Sequence, residues 1–393
     1  MPLPLYLLAL AVFAMCTSEF MLAGLLPDIA SDLDVTVGTA GVLTSAFAIG
    51  MVVGAPLVAA LARNWPRRSS LLGFIVAFAA AHAVGAITTS FPVLFATRVV
   101  AALANAGFLA VALTAAATLV PPDRKGRALA VLLSGTTAAT VAGVPGGSVL
   151  GAVFGWRATF WAVAALCLPA ALGILKGIPA GREDNPATGR PALRAELGQL
   201  TRPRLVLVML LGALVNAATF ASLTFLAPVV TGAGLGELWI PVALVLFGVG
   251  SFLGVTVAGL LSDRRPGAVV AVGGPLLLIG WPTLAMLSKE PVALLILVFV
   301  QGALSFALGS TLITRVLYEA AQAPTMSGSY ATAALNAGAT AGPVIAAATL
   351  GTEAGNLGPL WASGLLVAVA LLIAFPFLNV ITADRSTEPV GSR

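Results

Sequence analysis

Between Leu5 and Val380 the chain is a succession of apolar blocks separated by short polar breaks. A helix crosses the hydrocarbon of a bilayer with about 20 apolar residues. Counting such windows predicts twelve spans, near 5–27, 40–62, 70–89, 92–119, 128–152, 157–177, 204–230, 238–261, 267–287, 291–318, 325–350 and 358–380. The fold class expected is therefore an all-α membrane protein.

Short motifs recur roughly 200 residues apart. Ala59-Ala60-Leu61-Ala62-Arg63-Asn64-Trp65-Pro66 is echoed by Gly259-Leu260-Leu261-Ser262-Asp263-Arg264-Arg265-Pro266. Pro92-Val93-Leu94 is echoed by Pro291-Val292-Ala293, and Gly143-Val144-Pro145-Gly146 by Ala341-Gly342-Pro343-Val344. A near-constant offset predicts two similar halves running in the same direction. The reading is a six-helix bundle over 1–178, a cytoplasmic linker over 179–203, a second six-helix bundle over 204–381 and a cytoplasmic tail over 382–393. The linker is marked by Pro179, Pro186, Pro191 and Pro203, and Pro191 to Leu200 can form a short amphipathic helix on the membrane face.

Composition agrees. Hydrophobic residues make up 59% and charged residues 9% of 393, whereas a soluble domain keeps about a quarter of its residues charged. The net charge of +5 does not point to nucleic acid, because the basic loop residues fall almost entirely in alternate loops, with Arg157 and Lys289 the only basic residues of the opposite ones. Arg63, Arg67, Arg68, Arg124, Lys125, Arg127, Lys176, Arg182, Arg190, Arg194, Arg202, Arg204, Arg264 and Arg265 lie on one side, and Asp28, Asp32, Asp34, Glu237 and Glu353 on the other. The positive-inside rule then puts both termini in the cytoplasm of a multi-pass membrane protein. Met1 to Cys16 lacks a basic n-region and a cleavage site, so it reads as an uncleaved first helix. Cys16 and Cys167 lie inside spans, and no metal site or disulfide framework follows from them.

Glycine spacing supplies close helix contacts. Gly50-x-x-x-Gly54, Gly143-x-x-x-Gly147-x-x-x-Gly151 and Gly250-x-x-x-Gly254 are expected to be packing seams, since small residues let helices approach in lipid. Pro145 should kink the fifth span.

Ionisable residues within spans are costly, so each suggests function. Glu19 and Arg98 sit at about the same depth, roughly 10 and 9 Å below the outer face at 1.5 Å per residue. An ion pair or shared hydrogen bond between them could load and release a proton as the site opens; the alternative is a static pair that fixes helix packing. His82, the sole histidine, is either a proton relay or a hydrogen-bonded packing residue. Asn105, Asn216, Gln301 and Asn336 are isolated amides, each a substrate contact or a helix–helix bond. Asn216 and Phe220 share a helix face and, with Phe225, would give a mixed polar–aromatic lining for a small amphipathic ligand.

These features resemble the major facilitator superfamily, specifically its twelve-helix drug:proton antiporters. Ala59 to Arg68 is similar to the family's gating loop, with Gly259 to Pro266 as a second copy. The resemblance thus implies gating roles for Arg63, Arg67, Arg68, Asp263, Arg264 and Arg127. Arg98, within Leu94-x-x-x-Arg98, resembles the helix-4 arginine that the family ties to proton coupling. Gly135, Gly143, Pro145, Gly146 and Gly147 resemble the antiporter signature of helix 5. Thr17 to Pro27 and Gly155 to Trp161 are similar to the chloramphenicol-resistance exporters of actinomycetes, a likeness that implies export of a neutral amphipathic antibiotic in exchange for protons. One position departs: the first gating loop carries Arg63 where the family has aspartate, while Asp263 is retained.

The expected partners are a small antibiotic and membrane lipid, with no cofactor beyond protons as coupling ion, no metal, and function as a monomer. A sugar or metabolite exporter of the same fold ranks second, because few side chains are available to satisfy hydroxyls. An enzyme lacks a nucleophile–base pair, metal cluster or phosphate loop. A channel lacks a charged ring or filter loop.

Overall fold

A computed structural model describes residues 2–61, 65–119, 131–132, 134–136, 138–178, 193–262, 266–320, 322–323 and 326–377. Twelve helices are long and apolar enough to cross a membrane. We label the spanning helices α1 (Leu3–Phe20), α2 (Val37–Leu61), α3 (Arg67–Ile87), α4 (Phe91–Thr118), α5 (Val144–Phe154), α6 (Trp156–Gly177), α7 (Pro203–Thr224), α8 (Trp239–Ser262), α9 (Pro266–Met286), α10 (Pro291–Glu319), α11 (Ser327–Leu350) and α12 (Gly358–Ala374).

Prolines start several of these helices, where their fixed φ suits the first turn and the missing N–H is not needed. Pro92 and Pro291 do so at equivalent points of the two halves. Prolines also explain the departure from two expected spans. The apolar blocks at 5–27 and 204–230 are each broken. Helix α1 ends at Phe20, passes through a 3₁₀ turn Met21–Gly24, and a separate short helix runs Leu26–Asp32. Helix α7 ends at Thr224 and is followed by Leu226–Gly232. Pro27 and Pro228 cannot donate to the carbonyl four residues back, so each is accommodated in the first turn of a new helix. Pro145 behaves likewise: a π turn at Ala139–Gly143 precedes it, and it sits in the first turn of α5.

The glycine seams are tight contacts. A Cβ added to Gly50 would lie 2.7 Å from the Val99 carbonyl, and one on Gly54 3.0 Å from the Ala106 methyl, so α2 lies against α4. The second half repeats the seam between α8 and α10: a Cβ on Gly250 would collide with the Phe299 carbonyl, and one on Gly254 with the Ala303 carbonyl. Gly143 faces Thr17 of α1, and Gly342 faces Ala217 of α7. The duplication read in the sequence therefore reappears as duplicated helix pairing.

Two apolar cores result. One gathers buried residues from Leu5 to Ile178, joined by Ala221, Phe225 and Ala346. The other gathers Leu205 to Ala374, joined by Ala23 and Val144. The halves meet where α2 runs beside α11 and α5 beside α8. Towards the face opposite the termini this contact is dense: Gly38 packs on Ala347, Phe225 packs on Gly41, and Ser45 Oγ donates to the Thr340 carbonyl at 2.7 Å. The expected amphipathic segment forms Leu193–Leu197 and a 3₁₀ turn Gly198–Thr201, and the Tyr330 hydroxyl donates to the Glu196 carbonyl at 2.7 Å.

Candidate functional site

Helices α1, α3 and α4 bring three polar side chains together inside the first core. Arg98 is 1% exposed, His82 1% and Ser18 0%. The Arg98 guanidinium donates to the Ser18 hydroxyl through Nη1 at 2.7 Å and to the Ser18 carbonyl through Nη2 at 2.8 Å. Ser18 Oγ lies 2.6 Å from His82 Nε2, and His82 Nδ1 lies 2.8 Å from the Phe78 carbonyl. The Phe47 ring lies under the guanidinium, 4.6 Å from its carbon, while Phe78 and Phe160 flank the imidazole.

The direct Glu19–Arg98 bond anticipated from equal depth is not formed. The guanidinium docks on the preceding residue instead. One residue turns a helix by about 100°, so Ser18 points at α3 and α4 while Glu19 is rotated away and only partly buried. The two opposite charges remain close enough to act on each other through space. His82, which sequence alone left between relay and packing, belongs to this network.

The next residue along, Phe20, lines a small, partly open pocket between the halves. Val144 of α5 closes it on the same side; Leu223 of α7, Leu244, Phe247, Gly248 and Ser251 of α8, and Phe306 of α10 form the rest. The Ser251 hydroxyl is engaged with the Phe247 carbonyl at 2.8 Å, so the wall is almost wholly apolar. Phe20 also packs against Phe220 across the interface, the rings tilted at 31° with centroids 5.6 Å apart.

The anticipated amide contacts fall elsewhere. Asn216 donates to the Leu335 carbonyl at 2.7 Å, tying α7 to α11. Asn336 donates to the Thr332 carbonyl at 2.9 Å within its own helix. Gln301 donates to the Leu277 carbonyl at 3.3 Å against Gly280. Phe225 is fully buried against Gly41. None of these four lines the pocket: Asn336 bonds within its own helix, and Asn216, Gln301 and Phe225 pack against other helices. Asn105 is buried with both amide atoms unpartnered, two turns from Arg98 on the same face of α4. Sequence reasoning missed Phe247, Phe306 and the other lining residues; only the helical spacing of Leu244, Phe247, Gly248 and Ser251 on one face hinted at them.

Of the antiporter signature, Gly135 and Gly143 press on α1, Gly147 faces Thr159 of α6 and Met21, Pro145 is buried and Gly146 faces open space. Arg67 and Arg68 open α3, while Arg63, Arg127, Asp263 and Arg264 lie outside the described residues. On the face opposite the termini, Asp32 accepts from Arg157 and, at 3.1 Å, from the Trp156 indole, while Arg157 also donates to the Thr88 carbonyl at 3.0 Å. The Arg157 hydrogen bond holds the Asp32 carboxyl below its usual range. Burial, helped by nearby Glu237, pushes the Asp28 carboxyl above its usual range. Among the described residues, no group of three or more metal-ligating side chains occurs.

Comparisons with known proteins converge. The chain is 81% identical over 389 residues, 99% of each chain, to a chloramphenicol resistance protein of Streptomyces lividans. It is 31% identical over 95% of each chain to the inner membrane transport protein YdhP of Escherichia coli K12. A crystal structure of a bacterial homolog of the human lysosomal transporter Spinster, inward-facing and unoccupied, superposes with a TM-score of 0.73 at 18% identity, covering 97% of this chain and 96% of that one. Residues 8–334 match the family described as Major Facilitator Superfamily. With twelve membrane-length helices in two parallel halves, the chain belongs to the Major Facilitator Superfamily of membrane transporters.

Proposed function

We propose that this protein exports chloramphenicol, or a related small amphipathic antibiotic, across the cytoplasmic membrane in exchange for protons. The observation that carries the reading is the adjacency of Glu19 and Phe20. Phe20 lines a small, uncharged and largely apolar pocket between the halves, whose lining favours contact with a neutral rather than a charged group. Glu19 is a carboxylate in the membrane interior, one peptide bond away and within electrostatic reach of Arg98. Drug occupancy and proton occupancy can therefore compete through a single turn of α1. The S. lividans relative supplies the substrate.

The orientation follows from charge. Arg67, Arg68, Arg202 and Arg204 mark the cytoplasmic face, and Asp28, Asp32 and Glu237 the outer one, with both termini inside. Alternating access then rocks the halves about the Phe20–Phe220 contact, with the dense α2–α11 contact closing the outer side.

Exchange of a neutral drug for protons moves charge, each worth about 2.3 kcal/mol per 100 mV. Everted vesicles should accumulate chloramphenicol under either a pH gradient or a membrane potential. Accumulation indifferent to both would refute proton exchange; competition by sugars without chloramphenicol uptake would favour a metabolite exporter.

A further inference from the structure

The Arg98–Ser18–His82 chain has one consistent hydrogen-bond direction. The Phe78 carbonyl can only accept, so the proton facing it belongs to His82 Nδ1. In the neutral imidazole that leaves Nε2 bare, to accept the Ser18 hydroxyl proton across 2.6 Å. Once its proton is committed, Ser18 Oγ presents its lone pairs to Arg98 Nη1 at 2.7 Å, and the Ser18 carbonyl takes Nη2 at 2.8 Å. The guanidinium is pinned on α1 one residue short of Glu19, with Phe47 beneath it.

We propose that His82 is a positioning residue. Acting through Ser18, it holds the Arg98 guanidinium near the Glu19 carboxyl group and off it, which leaves that group free to gain and lose a proton. A rotated Ser18 hydroxyl would compete with the guanidinium instead of receiving it. Arg98 would then be released to close on Glu19 as a static ion pair. The aromatic walls of Phe78 and Phe160 fix the imidazole plane for this task. The inference rests on the proposed coupling role of Glu19 and Arg98.

Two experiments test it. His82 is the only histidine, so ¹⁵N-histidine labelling of the full-length wild-type protein reports this ring alone. The expected spectrum has a protonated Nδ1 and a bare Nε2, with the Nε2 resonance displaced in Ser18→Ala. A ring protonated at Nε2 would overturn the relay, and this readout does not depend on transport or on any variant folding. In proteoliposomes, His82→Phe removes both ring nitrogens, while His82→Gln keeps an acceptor near the Nε2 position. His82→Phe should reduce proton-driven chloramphenicol transport about tenfold or more, as expected for losing support of a charged hydrogen bond, with drug binding within about threefold. His82→Gln should recover most of the coupling. Equal losses in the two variants, or wild-type coupling in His82→Phe, would overturn the proposal. Unimpaired coupling in Glu19→Gln would remove the coupling reading alone, leaving the labelled spectrum to judge the relay geometry.

Discussion

Phe20 and Phe220 are 200 positions apart in the chain and pack together as a tilted ring pair with centroids 5.6 Å apart. Each occupies the same place in its half, near the end of the first helix of the repeat and before a proline-initiated short helix. Two parallel repeats related by a two-fold axis along the membrane normal bring equivalent residues together only close to that axis. The pair therefore marks the centre of the molecule, and Phe20 places the cavity wall beside it.

Truncating either ring should weaken drug binding while sparing the buried polar network. Aromatic pairs contribute about 0.5–1.5 kcal/mol beyond their area. Phe20→Ala and Phe220→Ala should each raise the dissociation constant for chloramphenicol several-fold, and the double variant should lose less than the two combined. Calorimetric titration of purified protein measures this; strict additivity would mean the rings act separately.

Replacing the proton-carrying group should separate exchange from uphill transport. Glu19→Gln keeps the shape of the side chain and cannot ionise. It should still perform chloramphenicol counterflow in proteoliposomes, yet fail to concentrate drug against a gradient. Uphill transport at the wild-type rate would exclude Glu19 from the proton pathway.

The duplicated seams should differ in tolerance from open glycines. Gly250→Val drives its Cβ against the Phe299 carbonyl, an immovable backbone atom, and should destabilise by about 1–3 kcal/mol. Gly146→Ala has nothing within 4 Å of the new methyl and should be close to neutral. Melting temperatures in detergent test the contrast.

Acid should loosen the strap between the Leu26–Asp32 helix and α6. Folding holds the Asp32 carboxyl below its ordinary value near 3.8, so its contribution is complete above that value and is lost as pH falls through the lower folded-state value. Since Asp32 is 45% exposed, the loss should be at most about 1 kcal/mol. Asp32→Asn should lack this part of the pH dependence, which urea titrations of the two proteins between about pH 5 and 2 will resolve.

Asp263→Asn should reduce drug efflux far more than Arg63→Ala. An aspartate in the gating loop can stabilise the N-terminus of a facing helix, whereas Arg63 cannot. Accumulation assays in a susceptible host compare the two; equal effects would remove Asp263 from this role.

Helix number, span positions and the duplication were legible in the sequence. They follow from local requirements: a bilayer demands a fixed apolar length, and a repeat carries its glycines and prolines at a fixed offset. The same logic placed the Gly50–Gly54 and Gly250–Gly254 seams, because close backbone approach needs small residues wherever it occurs. The breaks after Phe20 and Thr224 were missed, since an apolar window does not register where Pro27 and Pro228 restart the helix.

Which side chains meet across helices was beyond the sequence. Glu19 and Arg98 were found as the scarce charges of the membrane interior, but helical rotation gave the guanidinium to Ser18 and recruited His82 from a third helix. Asn216, Gln301 and Asn336 looked like ligand contacts, yet each satisfies a backbone carbonyl within the protein. Phe247 and Phe306 carried no signal in the sequence, yet they wall the pocket. Composition and periodicity set what each helix is. Rotation about its axis and the choice of neighbour depend on packing of the whole bundle, and those two variables decide where a polar or aromatic group acts.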